Sequence, residues 1–121
     1  MLYHKELTGQ ILGALIEVHK RLGPGHYEKV YQKASSHEFT LQKLKFQEQI
    51  PVKINYKNIV AKELRLDFIV ENKIVVELKA KKELDNMDKA QVLAYLRATG
   101  KKVGLLVNFG KKRIEIKRFV L

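Results

Sequence analysis

Residues 63–80, which read ELRLDFIVENKIVVELKA, decide the fold that the sequence predicts. Two segments rich in β-branched and apolar residues, 63–70 and 74–80, flank a polar connection at 71–73. Such a short connection between two strand-like segments is typical of a β-hairpin. We therefore expect an antiparallel pair of strands here, with the rest of a mixed sheet built around it.

The hairpin carries two acidic side chains that its register brings together. Side chains alternate between the faces of a strand, and a hairpin centred on Asn72 places Asp67 opposite Glu77. A bulge in the turn would shift this pairing by one residue. Facing carboxylates repel each other unless a cation lies between them, and carboxylate oxygens are good ligands for Mg²⁺ or Mn²⁺. The pair is therefore a candidate metal site.

Lys79 lies two residues beyond Glu77, on the same expected face of the second strand. An ammonium group there would hold an attacking water or neutralise charge that develops on a phosphate. The alternative is a solvated polar face on which Lys79 and Arg65 simply pair with the two acids. The flanking apolar residues Ile69 and Val75 count against free solvation of that face.

The rest of the chain predicts three helices and three further strands. Apolar residues at spacings of three and four indicate helices over about 5–22, 27–44 and 86–99. Strand-like segments cover 46–56, 103–109 and 113–120. Pro51 indicates either an edge position or an irregularity in the first of these strands. The order indicates a single α/β/α domain over residues 1–121, with a mixed central sheet and helices on both faces.

Positive charge is concentrated toward the C-terminus. The chain has 24 Lys and Arg against 13 Asp and Glu, which gives a formal net charge of +11. Residues 61–96 hold seven of each sign, whereas residues 97–121 hold eight basic side chains and one acidic. This excess indicates a polyanionic partner such as nucleic acid. The candidate phosphate contacts are Lys111, Lys112, Arg113, Lys117 and Arg118.

Several classes of protein and of site are excluded or disfavoured by composition. The absence of Cys excludes disulfides, thiolate metal sites and cysteine nucleophiles. No apolar run approaches the ~20 residues that span a bilayer, and the first residues lead into no signal-peptide core. We expect a cytoplasmic protein with no membrane partner. For the basic C-terminal cluster, the alternative is a charged edge strand that discourages aggregation.

Several short motifs, taken together, extend along almost the whole chain. Asp67 is followed by Glu77-Leu78-Lys79 on the next strand, and residues 25–31 read GHYEKVY. The first set is similar to the signature of the PD-(D/E)XK nuclease superfamily. The second resembles the motif that names the GxxExxY family, a small branch of that superfamily. Together with segments around 18–25, 91–96 and 104–110, the resemblance covers about residues 5–119.

The resemblance implies a restriction-endonuclease-like core and metal-dependent hydrolysis of phosphodiester bonds in DNA or RNA. Asp67, Glu77 and the backbone carbonyl of Leu78 would bind Mg²⁺ or Mn²⁺, and Glu28 would face the metal or its water. Lys79 would be the catalytic lysine. The sequence departs from the superfamily at Leu66, which replaces the proline of the motif, but that proline supplies no ligand.

Two further residues, Gln91 and Tyr95, resemble a glutamine–tyrosine pair on the helix that follows the lysine strand. Their spacing of four places them on one helix face. For Glu28, an alternative reading is a first-turn acid stabilised by the helix dipole.

Two other functional classes stay open. One is a nucleic-acid-binding or accessory module that keeps the fold without cleaving, and the other is a structural protein whose acids are salt-bridged and bind no metal. Since 121 residues leave no room for a separate recognition domain, substrate choice would depend on a homodimer or a protein partner.

Overall fold

Helices and strands follow one another in the predicted order. The structure is a computed structural model, and it describes residues 3–121. The helices in this part of the chain are α1 (Lys5–Leu22), α2 (Glu28–Leu41) and α3 (Asn86–Thr99). The strands are β1 (Phe46–Tyr56), β2 (Ile59–Val70), β3 (Ile74–Lys79), β4 (Val103–Asn108) and β5 (Glu115–Val120).

The strands form one mixed sheet in the order β1-β2-β3-β4-β5. Neighbouring strands are antiparallel except β3 and β4, which are parallel and are joined through α3. β1 lies at an edge, which is one of the two alternatives that Pro51 indicates. β2 begins four residues before the predicted strand, because it continues to pair with β1 beyond the part of the hairpin that contacts β3. Its exposed early residues carry no clear apolar alternation.

The register of the β2–β3 hairpin agrees with a turn centred on Asn72. Phe68 lies opposite Val76, and Val70 lies opposite Ile74. Glu71 and Asn72 take positive φ values of 52° and 57° to make the turn. These paired positions show no bulge, and the same register extended by one residue would place Asp67 opposite Glu77.

Helices cover both faces of the sheet, which confirms the α/β/α class. α1 and α2 pack on one face, where Leu15 and Phe39 join a core with Phe68, Val76 and Leu105. On the other face, Tyr95 and Leu96 of α3 pack against Leu66, Ile69 and Val75. Among the described residues, no helix is both long enough and apolar enough to cross a membrane.

Near Asp67, the side chains of β2 stop alternating regularly between the two faces of the sheet. Leu66 packs on the α3 face, and so does Ile69, although strict alternation would put them on opposite faces. Arg65, Asp67 and Ile69 therefore do not share one face, as they would in a regular strand. The strand is irregular at this point, and the irregularity lies at the candidate site.

The ends of two helices differ in how well the sequence predicts them. α2 ends at Leu41, before the predicted Leu44, because Lys43 takes a positive φ of 61°. Leu44 still reaches the core from the loop, which explains why its spacing resembles a helical position. α3 begins after Asp85, whose carboxylate accepts a bond from the Asp88 N–H in a capping box.

Gly104 of β4 allows α3 to lie close to the sheet. A Cβ at this position would lie 2.8 Å from Cγ1 of Val92 and 3.4 Å from Leu96. Because these two side chains belong to α3, a larger residue at 104 would require either the Val92 side chain or the helix that carries Gln91 to shift. The glycine thus helps to fix the position of the site.

Candidate active site

The site begins where regular pairing between β2 and β3 stops. At this point side-chain oxygens take over the role of backbone carbonyls as hydrogen-bond acceptors. The Asp67 N–H donates to Oε1 of Glu77 at 3.1 Å, and the Leu78 N–H donates to Oδ2 of Asp67 at 2.8 Å. Both carboxyl groups are buried, with residue exposures of 7% and 3%. The predicted pairing of Asp67 and Glu77 therefore produces a buried carboxyl pair.

Gln49 on β1 holds Asp67 from the other side. Its Nε2 donates to Oδ1 of Asp67 at 3.1 Å, and its backbone takes a positive φ of 53°. Arg65 donates from Nη1 to the Gln49 carbonyl at 3.2 Å. Sequence reasoning missed Gln49, because a single glutamine in an edge strand gives no signal of its own.

Burial makes the carboxyl pair difficult to ionise fully. Burial raises the pKa of Asp67, although hydrogen bonds from Leu78 and Gln49 oppose that shift. Burial, and then the neighbouring Asp67 carboxylate, raise the pKa of Glu77 to about 9, against the attraction of Lys79. The physical reason is that two negative charges in a poorly solvated site repel each other. A bound cation would relieve this cost.

Lys79 lies beside the Asp67–Glu77 carboxyl pair, and its ammonium group contacts three side chains. Its Nζ donates to Oε1 of Gln91 at 3.0 Å, lies 3.7 Å from Oε2 of Glu77 and lies 3.8 Å from Oδ1 of Asp88. Only 18% of its side chain is exposed. The structure thus brings together the predicted lysine and the predicted glutamine.

Asp88 is the other anchor of Lys79, and sequence reasoning missed it. This residue is buried at 7% exposure and also accepts from Nζ of Lys81 at 2.8 Å. Its Oδ2 accepts from the Asp85 N–H at 2.9 Å in the reciprocal half of the capping box. The Asp85-x-x-Asp88 spacing is a usable signal for the cap, but not for the contact with Lys79.

Glu28 is the first residue of α2 and lines the same cavity as the carboxyl pair. Burial, followed by the charge of Asp67, raises the pKa of Glu28. The buried Tyr31 hydroxyl supports this helix start, because it donates to the Gly23 carbonyl and accepts from the His26 N–H. Tyr31 therefore fixes the turn that delivers Glu28 to the site.

Tyr95 is placed differently from Gln91. Its ring is fully buried in the α3 face of the core and does not line the cavity. Its hydroxyl donates to the Arg65 carbonyl at 2.9 Å, and burial raises its pKa. Tyr95 thus supports the irregular segment of β2, whereas Gln91 contacts Lys79 directly.

The cavity in front of these groups has a volume of about 760 Å³. One wall is formed by α2, through Glu28, Lys29, Gln32, Lys33 and Ser36. The opposite wall comes from the first two strands, through Glu48, Gln49 and Arg65. The remaining lining residues are Asp67, Glu77, Lys79 and Gln91. A cavity of this size has room for a small part of a polymer.

The donor set suits a hard divalent cation. Asp67 and Glu77 offer carboxylate oxygens, and Mg²⁺ is typically bound by one or two carboxylates with water and substrate phosphate. Across residues 3–121, no group of three or more acidic or histidine side chains converges. Glu28 therefore lies in the cavity without completing a three-carboxylate cluster. The remaining ligands would come from a backbone carbonyl, water or substrate.

A family model for the PD-(D/E)XK nuclease superfamily matches residues 5–119, nearly the whole chain. This chain belongs to the PD-(D/E)XK nuclease superfamily. The superfamily placement agrees with the order of Asp67, Glu77 and Lys79 on two successive strands. A search of curated proteins found no match.

The fold is also similar to the crystal structure of a protein called SSO0001. The two share 21% sequence identity with a TM-score of 0.57, over 76% of this chain and 48% of the other. This PD-(D/E)XK chain thus spans about half the length of that protein. At this identity the likeness supports the fold alone.

The basic C-terminal cluster lies at the opposite edge of the sheet from β1. Lys117 shares a row with Leu106 and Glu77, two strand spacings or about 10 Å away. Lys111 lies within ion-pairing distance of Glu83 and Glu115. No member of the cluster, Lys111, Lys112, Arg113, Lys117 or Arg118, lines the cavity described above.

Lys29 and Lys33 are cavity residues that sequence reasoning did not single out. They follow Glu28 on α2 at spacings of one and five residues. The polar positions 28, 32 and 36 repeat every four residues, so a polar helix face could have been recognised beside the motif. The charge balance along the sequence favoured the C-terminus as the place of the phosphate contacts, because the excess of basic residues is greatest there.

Proposed function

We propose that this domain is a metal-dependent nuclease of the GxxExxY branch, which hydrolyses phosphodiester bonds in DNA or RNA. The observation that carries the proposal is the buried Asp67–Glu77 pair with Lys79 held beside it. Burying two acids next to each other is costly in a purely structural protein. It is useful where a cation and a phosphate are to be bound.

Asp67, Glu77 and the Leu78 carbonyl would hold Mg²⁺ or Mn²⁺. When bound, the cation would supply Lewis-acid polarisation of the phosphate and would lower the pKa of a coordinated water. Hydrogen bonds from Gln49 and from the Leu78 N–H fix the orientation of the Asp67 carboxylate. That fixed orientation supports a site formed in advance of ligand binding.

Lys79 would stabilise negative charge on the phosphate and orient the attacking water. Its contacts with Gln91 and Asp88 restrict its ammonium group to the edge of the cavity. Restricting a flexible lysine in this way lowers the entropy lost at the moment of reaction. Glu28, with its raised pKa, would accept or hold a proton of the water.

The test is a cleavage assay with purified protein, labelled single- and double-stranded DNA and RNA, and Mg²⁺ or Mn²⁺. Wild-type protein should cleave at least one substrate, and Lys79→Ala should lose most of that activity. Lys82→Ala is the matched control, because Lys82 is exposed and does not line the cavity. Equal inactivity of wild type and Lys79→Ala on every substrate would refute the enzyme proposal.

A non-cleaving nucleic-acid-binding module is the second candidate. It is favoured by the exposed basic side chains Lys29, Lys33 and Arg65 that line the cavity, because they would bind phosphate without a metal. This candidate predicts salt-sensitive binding that does not change when Asp67 is replaced by Asn. A nuclease site predicts that Asp67→Asn changes both Mn²⁺ binding and cleavage, so calorimetric titration with Mn²⁺ separates the two.

A further inference from the structure

We propose that the cavity takes a single strand of nucleic acid along α2, with phosphates on Lys29 and Lys33 and an unpaired base stacked on Tyr27. The inference rests on the proposed nuclease function and specifies its substrate class. Its basis is the arrangement of charge and aromatic surface at the start of α2. The C-terminal basic cluster then has a secondary role.

Cations without acidic partners line the cavity. Lys29 and Lys33 lie one helical turn apart on α2, and Arg65 lies on the opposite wall. Within residues 3–121, none of these three side chains forms an ion pair. All three are exposed, so they can reach a ligand without breaking an ion pair, although Arg65 also donates to the Gln49 carbonyl. Successive phosphates of one strand are natural ligands for such a row.

Glu48, on the wall opposite these lysines, is already engaged by hydrogen bonds. Glu48 accepts hydrogen bonds from Nε2 of Gln32 at 3.3 Å and from Oγ of Ser36 at 3.1 Å. These neutral donors hold its carboxylate away from an ion pair with Lys29 or Lys33. Neither lysine is therefore occupied by an acidic partner, and both are available to an incoming phosphate.

Tyr27 offers an aromatic surface immediately before Glu28. The residue is 88% exposed, although a tyrosine usually buries much of its ring. Its Cα lies one peptide unit, about 3.8 Å, from that of Glu28, which lines the cavity. Exposed aromatic rings beside a cationic groove are the usual stacking platforms for single strands.

Stacking on Tyr27 requires a base whose face is free. In a duplex, both faces of a base are covered by its neighbours, whereas an unpaired base can leave the stack and lie on a side chain. Phosphate contacts by themselves do not distinguish the two forms. Tyr27 is therefore the residue that would select a single strand.

The first experiment measures phosphate contacts. Binding of a labelled single-stranded oligonucleotide is followed by fluorescence anisotropy in EDTA at several salt concentrations, so that no cleavage occurs. For Lys29→Gln/Lys33→Gln, the slope of log affinity against log salt should fall by about 1.4, at about 0.7 per phosphate contact. The matched variant Lys112→Gln/Lys117→Gln removes the same charge and should change the slope by less. An equal or larger change in the C-terminal variant would overturn the proposal.

The second experiment measures stacking and strand selection. Tyr27→Ala should weaken single-strand binding by about 5- to 150-fold, whereas Tyr27→Phe should retain it because the ring is preserved. The wild type should bind a single strand more tightly than a duplex of the same sequence, and Tyr27→Ala should remove that preference. Equal affinity for both forms, or no effect of Tyr27→Ala, would contradict the inference.

The cleavage assay separates a failure of the strand path from a failure of the nuclease proposal. Cleavage that survives while the α2 and Tyr27 variants bind normally would refute the strand path and leave the nuclease proposal intact. Single-strand binding that depends on α2 and Tyr27, without any cleavage, would support the path and refute the nuclease proposal.

Discussion

The two halves of the β2–β3 pair have opposite characters. Near the turn, Val70 pairs with Ile74 and Phe68 with Val76, and all four side chains are buried. One position further along, the Asp67 and Glu77 carboxyl groups replace backbone acceptors in the hydrogen bonds between the strands. The apolar half stabilises the fold, whereas the acidic half reduces its stability in the absence of a cation. The candidate active site lies where regular pairing ends, because oxygen atoms become available for a ligand there.

The largest expected effect is the loss of cleavage when Glu77 is replaced by glutamine, its neutral isostere. Glu77→Gln should lower Mg²⁺-dependent cleavage by about 10³-fold or more, since it removes a charged metal ligand. The same variant should make the metal-free protein more stable at pH 8 by on the order of a few kcal/mol, because Glu77 is ionised in the unfolded chain but its pKa of about 9 keeps it mostly protonated in the folded one, whereas a glutamine at this position needs no proton to fold. Cleavage rates and thermal unfolding in EDTA measure the two effects. Glu83→Gln, at an exposed acid, is the control and should change neither.

Substitutions in the apolar half of the β2–β3 pair should instead lower stability and leave cleavage close to wild type. Ile74→Ala should reduce the free energy of unfolding by about 2–5 kcal/mol, while Ile74→Val should cost about 0.5–1.5 kcal/mol. Urea unfolding measures both losses. Cleavage per folded molecule should stay close to wild type, since Ile74 does not line the cavity. A selective loss of cleavage in a fully folded Ile74→Val would contradict the division of the β2–β3 pair into an apolar half that stabilises the fold and an acidic half that forms the site.

A pH titration of stability should expose the buried acids directly. The folded protein raises the pKa of Glu77 above its ordinary value of 4.5, so this residue favours folding most below pH 4.5. Its contribution is lost as pH rises through the folded pKa, toward pH 9. The metal-free protein should therefore lose stability between these limits, and Glu77→Gln should show a weaker loss. Thermal unfolding across this pH range, with and without Mg²⁺, measures the effect.

Binding of Mg²⁺ should counteract that loss. A cation that binds only the folded state stabilises it by mass action, and binding is favoured once both carboxyls are ionised. Stability in saturating Mg²⁺ should therefore decline less with pH than stability in EDTA. Identical pH profiles in both conditions would count against a cation between Asp67 and Glu77.

The smallest expected effect concerns the anchor of Lys79. Asp88→Asn keeps an acceptor for the Asp85 N–H but removes the charge near Nζ of Lys79. We expect cleavage to fall by about 10-fold, with stability changing by about 1 kcal/mol or less. Asp85→Asn is the matched control, because Asp85 contacts Lys81 rather than Lys79. Equal cleavage by both variants would show that Asp88 serves only the helix cap.

Local sequence patterns were sufficient for most of the secondary structure. The predicted bounds 5–22, 46–56 and 86–99 agree with α1, β1 and α3, because each element has a clear periodicity or a clear stop such as Gly100. The Asn72-centred register was predictable for the same reason, since the connection is short. The start of β2 was not, because its exposed early residues have no apolar face that alternates.

The sequence predicted the site residues only where chemically suitable side chains lie close together along the chain. Asp67, Glu77 and Lys79 lie close together in sequence, so a hairpin register is enough to bring them together. Gln49 reaches Asp67 from β1, and Asp88 reaches Lys79 from α3. Those two contacts depend on the angle and distance between separate elements, which no short pattern records.

The sequence by itself determined the α/β order, the register of the β2–β3 hairpin and the superfamily, because these depend on the type and spacing of residues along the chain. The tertiary structure decided which residues surround the pair: Gln49 and Asp88 as anchors, Tyr95 in the core, and Lys29 and Lys33 on the cavity wall. The physical reason is that burial and hydrogen bonding act between elements distant in sequence. Net charge could indicate a polyanion, but only packing shows which cations face the site.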